Sequence, residues 1–142
     1  MKTSVLSIGF LSVVLVLTVG LPATPASAVE ELDAGSVAIG AGLFRSYCAS
    51  CHGRAAKGDG DIAEYLTVPP SDLTKVAERS GGTFDKKLVE KIIDGREKVK
   101  GHGGKDMPVW GAAFQNTGGE MSEEEVARRI GHLANFIQSI QE

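Results

Sequence analysis

A chain of 142 residues with 42% apolar and 6% aromatic side chains supports one domain and little more. Its 15 basic and 18 acidic residues give a formal charge of −3, without the basic excess of a nucleic-acid binder. Two cysteines build neither a multi-bridge secreted scaffold nor a four-ligand structural zinc site, and 18 glycines with five prolines fall short of a low-complexity chain.

The opening stretch reads as an address label. Met1-Lys2 supplies a positive charge, an apolar run extends from Val5 to Leu21, and Pro22 and Pro25 break any helix. Ala26-Ser27-Ala28 then has the small-x-small form of a signal-peptidase site, so residues 1–28 are expected to be a secretory signal peptide. The alternative is an uncleaved anchor in the cytoplasmic membrane, but Ser7, Gly9, Ser12, Thr18 and Gly20 interrupt a run already near the lower limit of a span. Without Lys2, 14 basic groups face 18 acidic ones, a net −4. Residues 29–35 form a short acidic lead-in, and residues 36–142 a single domain without internal repeats. Export would place Cys48 and Cys51 where free thiols do not persist, so they are expected to be covalently committed.

Four helical segments and no strand alternation predict an all-α domain. The first helix spans about Ser36 to Cys48, with Ile39, Leu43 and Tyr47 on one stripe beside Gly40 and Phe44. Gly40 costs helix propensity there, which makes sense where another backbone crosses closely. A glycine-rich loop, Gly53 to Gly60, leads to a weakly signalled short helix around Asp61 to Leu66, and Pro69-Pro70 imposes extended backbone. The third helix starts near Thr83 as N-cap, carries Phe84, Leu88, Val89, Ile92 and Ile93, and stops at Gly95. Residues 95–119 read as a long loop without periodicity, a length that usually serves function. The last helix opens on the capping box Ser122-Glu123-Glu124-Glu125 and shows one face of Val126, Ile130, Leu133, Ile137 and Ile140, flanked by Phe136.

Cys48-Ala49-Ser50-Cys51-His52 carries the chemistry. C-x-x-C-H is the c-type haem attachment pattern. One helical turn separates the sulfurs, so each can reach one vinyl group of the same porphyrin and form a thioether, and His52 then projects under the ring centre to bind iron. A thioredoxin-like redox pair would expect a strand before the first cysteine and a βαβ pattern, neither of which is present. A disulfide across three residues would close a trivial loop.

These residues and their surroundings resemble class I monohaem cytochromes c from about Ser36 to Gln141. Gly40 and Phe44 stand eight and four residues before Cys48, as in that family's first helix, and Leu133 and Phe136 match its pair on the final helix. Gly58-Asp59-Gly60 and Pro70-Ser71-Asp72-Leu73-Thr74 also resemble bacterial members. Asp61 departs from the proline many of them carry, which leaves open the carbonyl that accepts the Nδ1 proton of His52. The resemblance implies a small bundle around one covalent haem c, with the first and last helices crossing.

Opposite His52, the resemblance points to Met107 as the second iron ligand. It lies 55 residues downstream in Lys105-Asp106-Met107-Pro108-Val109-Trp110-Gly111, similar to the family's methionine–proline motif, and thioether ligation raises the reduction potential. Met121 and His102 are the competitors, and core gap-filling is the ordinary role of such a methionine. His132, on the flank of the last helix's stripe, reads as a surface residue. Trp110 and Tyr65 are candidates to pack against the haem or bond a propionate, or simply to fill the core.

An iron held by two protein ligands implies a one-electron carrier rather than an enzyme, periplasmic or otherwise exported. Its partners would be a donor dehydrogenase or reductase and an acceptor oxidase or reductase, with no nucleic acid and no membrane contact except through a partner or an uncleaved signal. The alternatives are a peroxidase-like enzyme or gas sensor whose distal position opens, with His102 as acid–base group, or a cytochrome subunit of a larger complex. Arg96, Lys98, Lys100 and Lys105 crowd the approach to Met107, and Glu120 and Glu123 to Glu125 the start of the last helix. This asymmetry suits docking of a charged partner, or merely a solvated surface with helix-dipole compensation.

Overall fold

The computed structural model describes residues 32–97, 107–117 and 121–142. The expected signal peptide, His102, Lys98, Lys100, Lys105 and Glu120 lie outside the described residues. Among those described there are six α-helices and no strand: α1 (Ala34–Tyr47), α2 (Ala49–His52), α3 (Val76–Arg79), α4 (Lys86–Asp94), α5 (Trp110–Gln115) and α6 (Glu123–Ser139). No helix among them is long and apolar enough to cross a membrane.

α1 begins two residues before the expected start because Asp33 caps it, its carboxylate accepting from the Ser36 amide at 2.9 Å. α4 likewise is capped by Asp85, which accepts from the Leu88 amide at 3.0 Å, so Thr83 stays outside the helix. It stops as expected at Gly95, whose φ of 68° suits glycine. α6 carries the expected capping box, with Ser122 and Glu125 bonding reciprocally. Besides the single turn of α2, two helices escaped the pattern reading. α3 is one turn following a 3-10 turn at Leu73–Lys75, and α5 is six residues inside the segment expected to be a loop. Neither is long enough to display a repeat. The weakly signalled helix after Asp61 is a single 3-10 turn, Ala63–Tyr65.

The frame is the pairing of α1 with α6, on which α4 and α5 also pack. Gly40 is buried at the crossing. A Cβ there would lie 2.7 Å from the His132 carbonyl carbon and 2.8 Å from Phe136 Cβ, so only glycine lets the two backbones approach. Phe44 meets Phe136 with ring centroids 5.1 Å apart, and Leu133 is fully buried beside them. The α1 stripe is rotated from the expected one: Gly40 and Phe44 face inward, whereas Ile39 is 52% exposed. With Leu43, Met121 and the stems of Arg128 and Arg129 it lines a shallow surface groove. His132 is not a free surface residue. Its Nδ1 shares a 2.6 Å hydrogen bond with the Ser36 hydroxyl, which also accepts from Asn135 Nδ2 at 2.7 Å.

Candidate functional site

α1 hands over directly to the C-x-x-C-H turn. The Cys48 amide still donates to the Phe44 carbonyl, while the amides of Cys51 and His52 both donate to the Cys48 carbonyl, at 3.1 and 2.9 Å. The pentapeptide therefore forms one helical turn, closed by Gly53 at φ 78°. Cys48, Cys51 and His52 line the same cavity, and both cysteines are half-buried. Before any attachment of the sulfurs, burial and then the neighbouring Cys51 push the Cys48 thiol up to about 12.

The glycine-rich loop clasps this turn from outside. The amides of Ile62, Gly60 and Gly58 donate to the carbonyls of Ser50, Cys51 and His52, at 3.1, 3.1 and 2.9 Å. A Cβ at Gly60 would lie 2.5 Å from the Cys51 carbonyl carbon, which accounts for the glycine. Ala56 takes a left-handed φ of 60°, a strain of about 1–2 kcal/mol. In this position its methyl is buried and its carbonyl accepts from the Leu73 amide at 2.7 Å.

Sequence reasoning left the acceptor for His52 open, and the structure supplies it. Nδ1 of His52 donates to the Ser71 carbonyl oxygen at 3.1 Å. A carbonyl only accepts, so the proton sits on Nδ1 and Nε2 keeps its lone pair. Burial pushes the imidazole's pKa below its ordinary value, against the opposing pull of the Ser71 bond, and favours the neutral ligating form. Ser71 is braced in turn. Asp72 accepts from the amide and hydroxyl of Thr74 at 2.9 and 2.7 Å, and Gln141 donates to the Leu73 carbonyl and accepts from the Ala77 amide, both at 2.8 Å. Asp72-Leu73-Thr74 is a readable turn signal. The Gln141 contacts span 64 and 68 residues and leave no local signature.

Met107 and Pro108 line the cavity with Trp110 at the start of α5. Trp110 does double service, since its ring also packs on Tyr47 and Phe114 with centroids 5.6 and 5.3 Å apart. Phe114 is fully buried, with the Arg129 guanidinium 5.3 Å from its ring centroid. Tyr65, by contrast, is 79% exposed, because the 3-10 turn carries it outward and brings Leu66 into the cavity wall instead. Met121 lies in the shallow groove with Ile39, not in the cavity. Arg96 is not an unpaired docking charge, for Asp94 and Glu123 engage it fully.

The cavity measures about 580 Å³ and is walled largely by apolar side chains such as Phe44, Val89, Ile93 and Leu133. That size falls within the range of about 300–1,000 Å³ typical of cofactor clefts. Two thiols one turn apart, a neutral imidazole with Nδ1 committed, and a thioether on the same cavity fit a covalently held haem. Among the described residues no group of three or more His, Cys, Asp or Glu side chains gathers to hold a bare metal ion.

A family model described as cytochrome c matches residues 37–141. Comparison with curated proteins and with solved structures gave no match. The family match runs from the first turns of α1 to the residue that braces the Ser71 segment, and it agrees with the helical fold and the thiol-lined cavity. This chain belongs to the cytochrome c family, and its cofactor is covalently bound haem c.

Proposed function

We propose that this protein is a class I, single-haem electron carrier in which Cys48 and Cys51 form the two thioethers and His52 and Met107 hold the iron. Haem c, when bound, supplies an iron that gains and loses one electron. The chain's part is to keep that exchange cheap. His52 is fixed in one tautomer by Ser71, and the Ser71 segment is itself braced, so the ring cannot swing as charge changes. Met107 would offer the iron a soft sulfur, which favours the reduced state and would leave no site for substrate. The apolar wall excludes water and lowers the reorganisation that accompanies each electron.

The observation that carries this reading is the His52–Ser71 hydrogen bond inside a cavity that Met107 also lines. Residues 1–28 serve as an export signal and residues 29–35 as a lead-in whose end opens α1. The haem domain over 36–142 then works in the periplasm or another exported setting, between a donor dehydrogenase or reductase and an acceptor oxidase or reductase.

The test is Met107→Ala in the purified holoprotein. Loss of the far-red thioether-to-ferric-iron absorption, a lower reduction potential and rapid cyanide or carbon monoxide binding are expected. A variant that keeps the parent spectrum and resists those ligands removes Met107 from the iron. A parent protein that already binds them readily favours the enzyme or sensor reading.

A further inference from the structure

Met107 lies in the chain between α4 and α5, and the described residues at the end of α4 and the start of α5 converge on one side chain. Arg96 follows the cap of α4. Its Nε and Nη2 each sit 2.7 Å from an oxygen of Asp94, forming a two-pronged fork. Its Nη1 reaches both oxygens of Glu123, in the first turn of α6, at 2.9 and 2.8 Å. Glu123 also accepts from Gln115, the last residue of α5.

The returning end is pressed against this cluster. Gly111 is buried, and a Cβ on it would lie 2.5 Å from Asp94 Oδ1 and clash with Arg96 Nε. At the cap of α4, a Cβ on Gly95 would come within 3.4 Å of Val109 Cα. The start and finish of the Met107 segment are therefore in contact, with Arg96 at the junction.

Isolated surface ion pairs contribute little. This one differs in geometry, being a planar fork engaged on two carboxylates that belong to two helices. Asp94 is held below the usual carboxylate range by the Arg96 hydrogen bond above all.

We infer that Arg96 is a positioning residue for Met107: it fastens both ends of the methionine-bearing segment to α6 and so sets how readily the thioether leaves the iron. The inference rests on the assignment of Met107 as ligand. It makes no use of a direct contact between Arg96 and the cofactor. Removing the fork frees the two ends from each other while the α1–α6 frame persists, so the effect should appear at the iron before it appears in the fold.

The experiment uses purified holoprotein with Arg96→Ala, Arg96→Lys and Glu123→Gln, and Arg128→Ala as control. Arg128 lies on the same helix, 4.0 Å from Glu124 and outside the junction. Cyanide binding to the ferric protein and the far-red thioether band are followed against temperature, with helix content by circular dichroism in parallel. Arg96→Ala should bind cyanide about tenfold faster or more and lose the band below the temperature at which helix melts. Arg96→Lys, with charge but no fork, should fall between, Glu123→Gln should show part of the effect, and Arg128→Ala none. Parent-like cyanide kinetics in Arg96→Ala, or a band lost only in step with helix content, overturns the inference. If the parent itself shows no thioether band, it is the Met107 assignment that fails.

Discussion

The two sides of the cavity are fastened by different chemistry. On the His52 side, three consecutive carbonyls of the C-x-x-C-H turn receive three loop amides, and the imidazole bonds a backbone carbonyl. On the Met107 side, the junction of α4, α5 and α6 is closed by charged side chains around Arg96 and by the contact between the tilted rings of Trp110 and Phe114. Main-chain bonds neither titrate nor swing away as rotamers do. If His52 and Met107 hold the iron as proposed, the histidine side should tolerate surface changes, whereas the methionine side should answer to substitution and solution conditions.

The largest blow to this contrast should come from Phe114→Ala. Emptying a fully buried ring site costs about 3–5 kcal/mol, measured as a drop in denaturation midpoint, and the thioether band should weaken while the histidine-ligated, covalently attached haem remains. Gly60→Val attacks the other side. Its Cβ meets the Cys51 carbonyl, and the resulting overpacking should cost about 1–3 kcal/mol and reduce the yield of protein carrying haem at both sulfurs, read by mass. If Gly60→Val instead disturbs only the methionine band, the two sides are not independent.

Ser122→Ala removes half of the capping box that presents Glu123 to Arg96. It should cost about 1 kcal/mol and shift cyanide kinetics slightly in the direction of the Arg96 variants. Acid provides the gentlest test. The Asp94 pKa is depressed by Arg96, so its contribution is complete above the unfolded carboxyl value of about 3.9 and fades as pH falls through the lower folded value. Glu125 on the same side is also held low, chiefly by the Ser122 amide. Asp72, held low by Thr74, titrates beside Ser71, but the three amide bonds onto residues 50–52 do not. On acidification the thioether band should therefore fade before the spectrum of the histidine-bound haem changes; the reverse order would contradict the comparison.

The same divide explains what could be read from the sequence. The His52 side is written largely locally: Cys48, Cys51 and His52 are adjacent, and Gly53, Gly58 and Gly60 mark a loop, but that Ser71 in the Pro70 to Thr74 run receives the imidazole was not legible, because the bond spans 19 residues. Gly40 and the capping box of α6 were equally visible, because each is a single-position or four-residue rule. The Met107 side depends on meetings between distant residues. Arg96 reads as one of several loop cations until Glu123, 27 residues away, is brought to it. α5 hides because six residues cannot show a period. Ile39 misled because a four-residue spacing marks a stripe without marking its centre, and His132 because its partner Ser36 lies 96 positions earlier.

That last separation bears on how the chain assembles. Ser36 and His132 sit near opposite ends of the described polypeptide, so the crossing they stitch together can form only after a search across nearly the whole domain. Ring-closure entropy rises only logarithmically with contour length, which keeps the thermodynamic penalty modest, but distant pairings slow the approach to the native topology. At Gly40 the opposing main chain is admitted without a side chain to rearrange, so the contact that joins the two ends of the domain there is made, on the α1 side, by backbone alone.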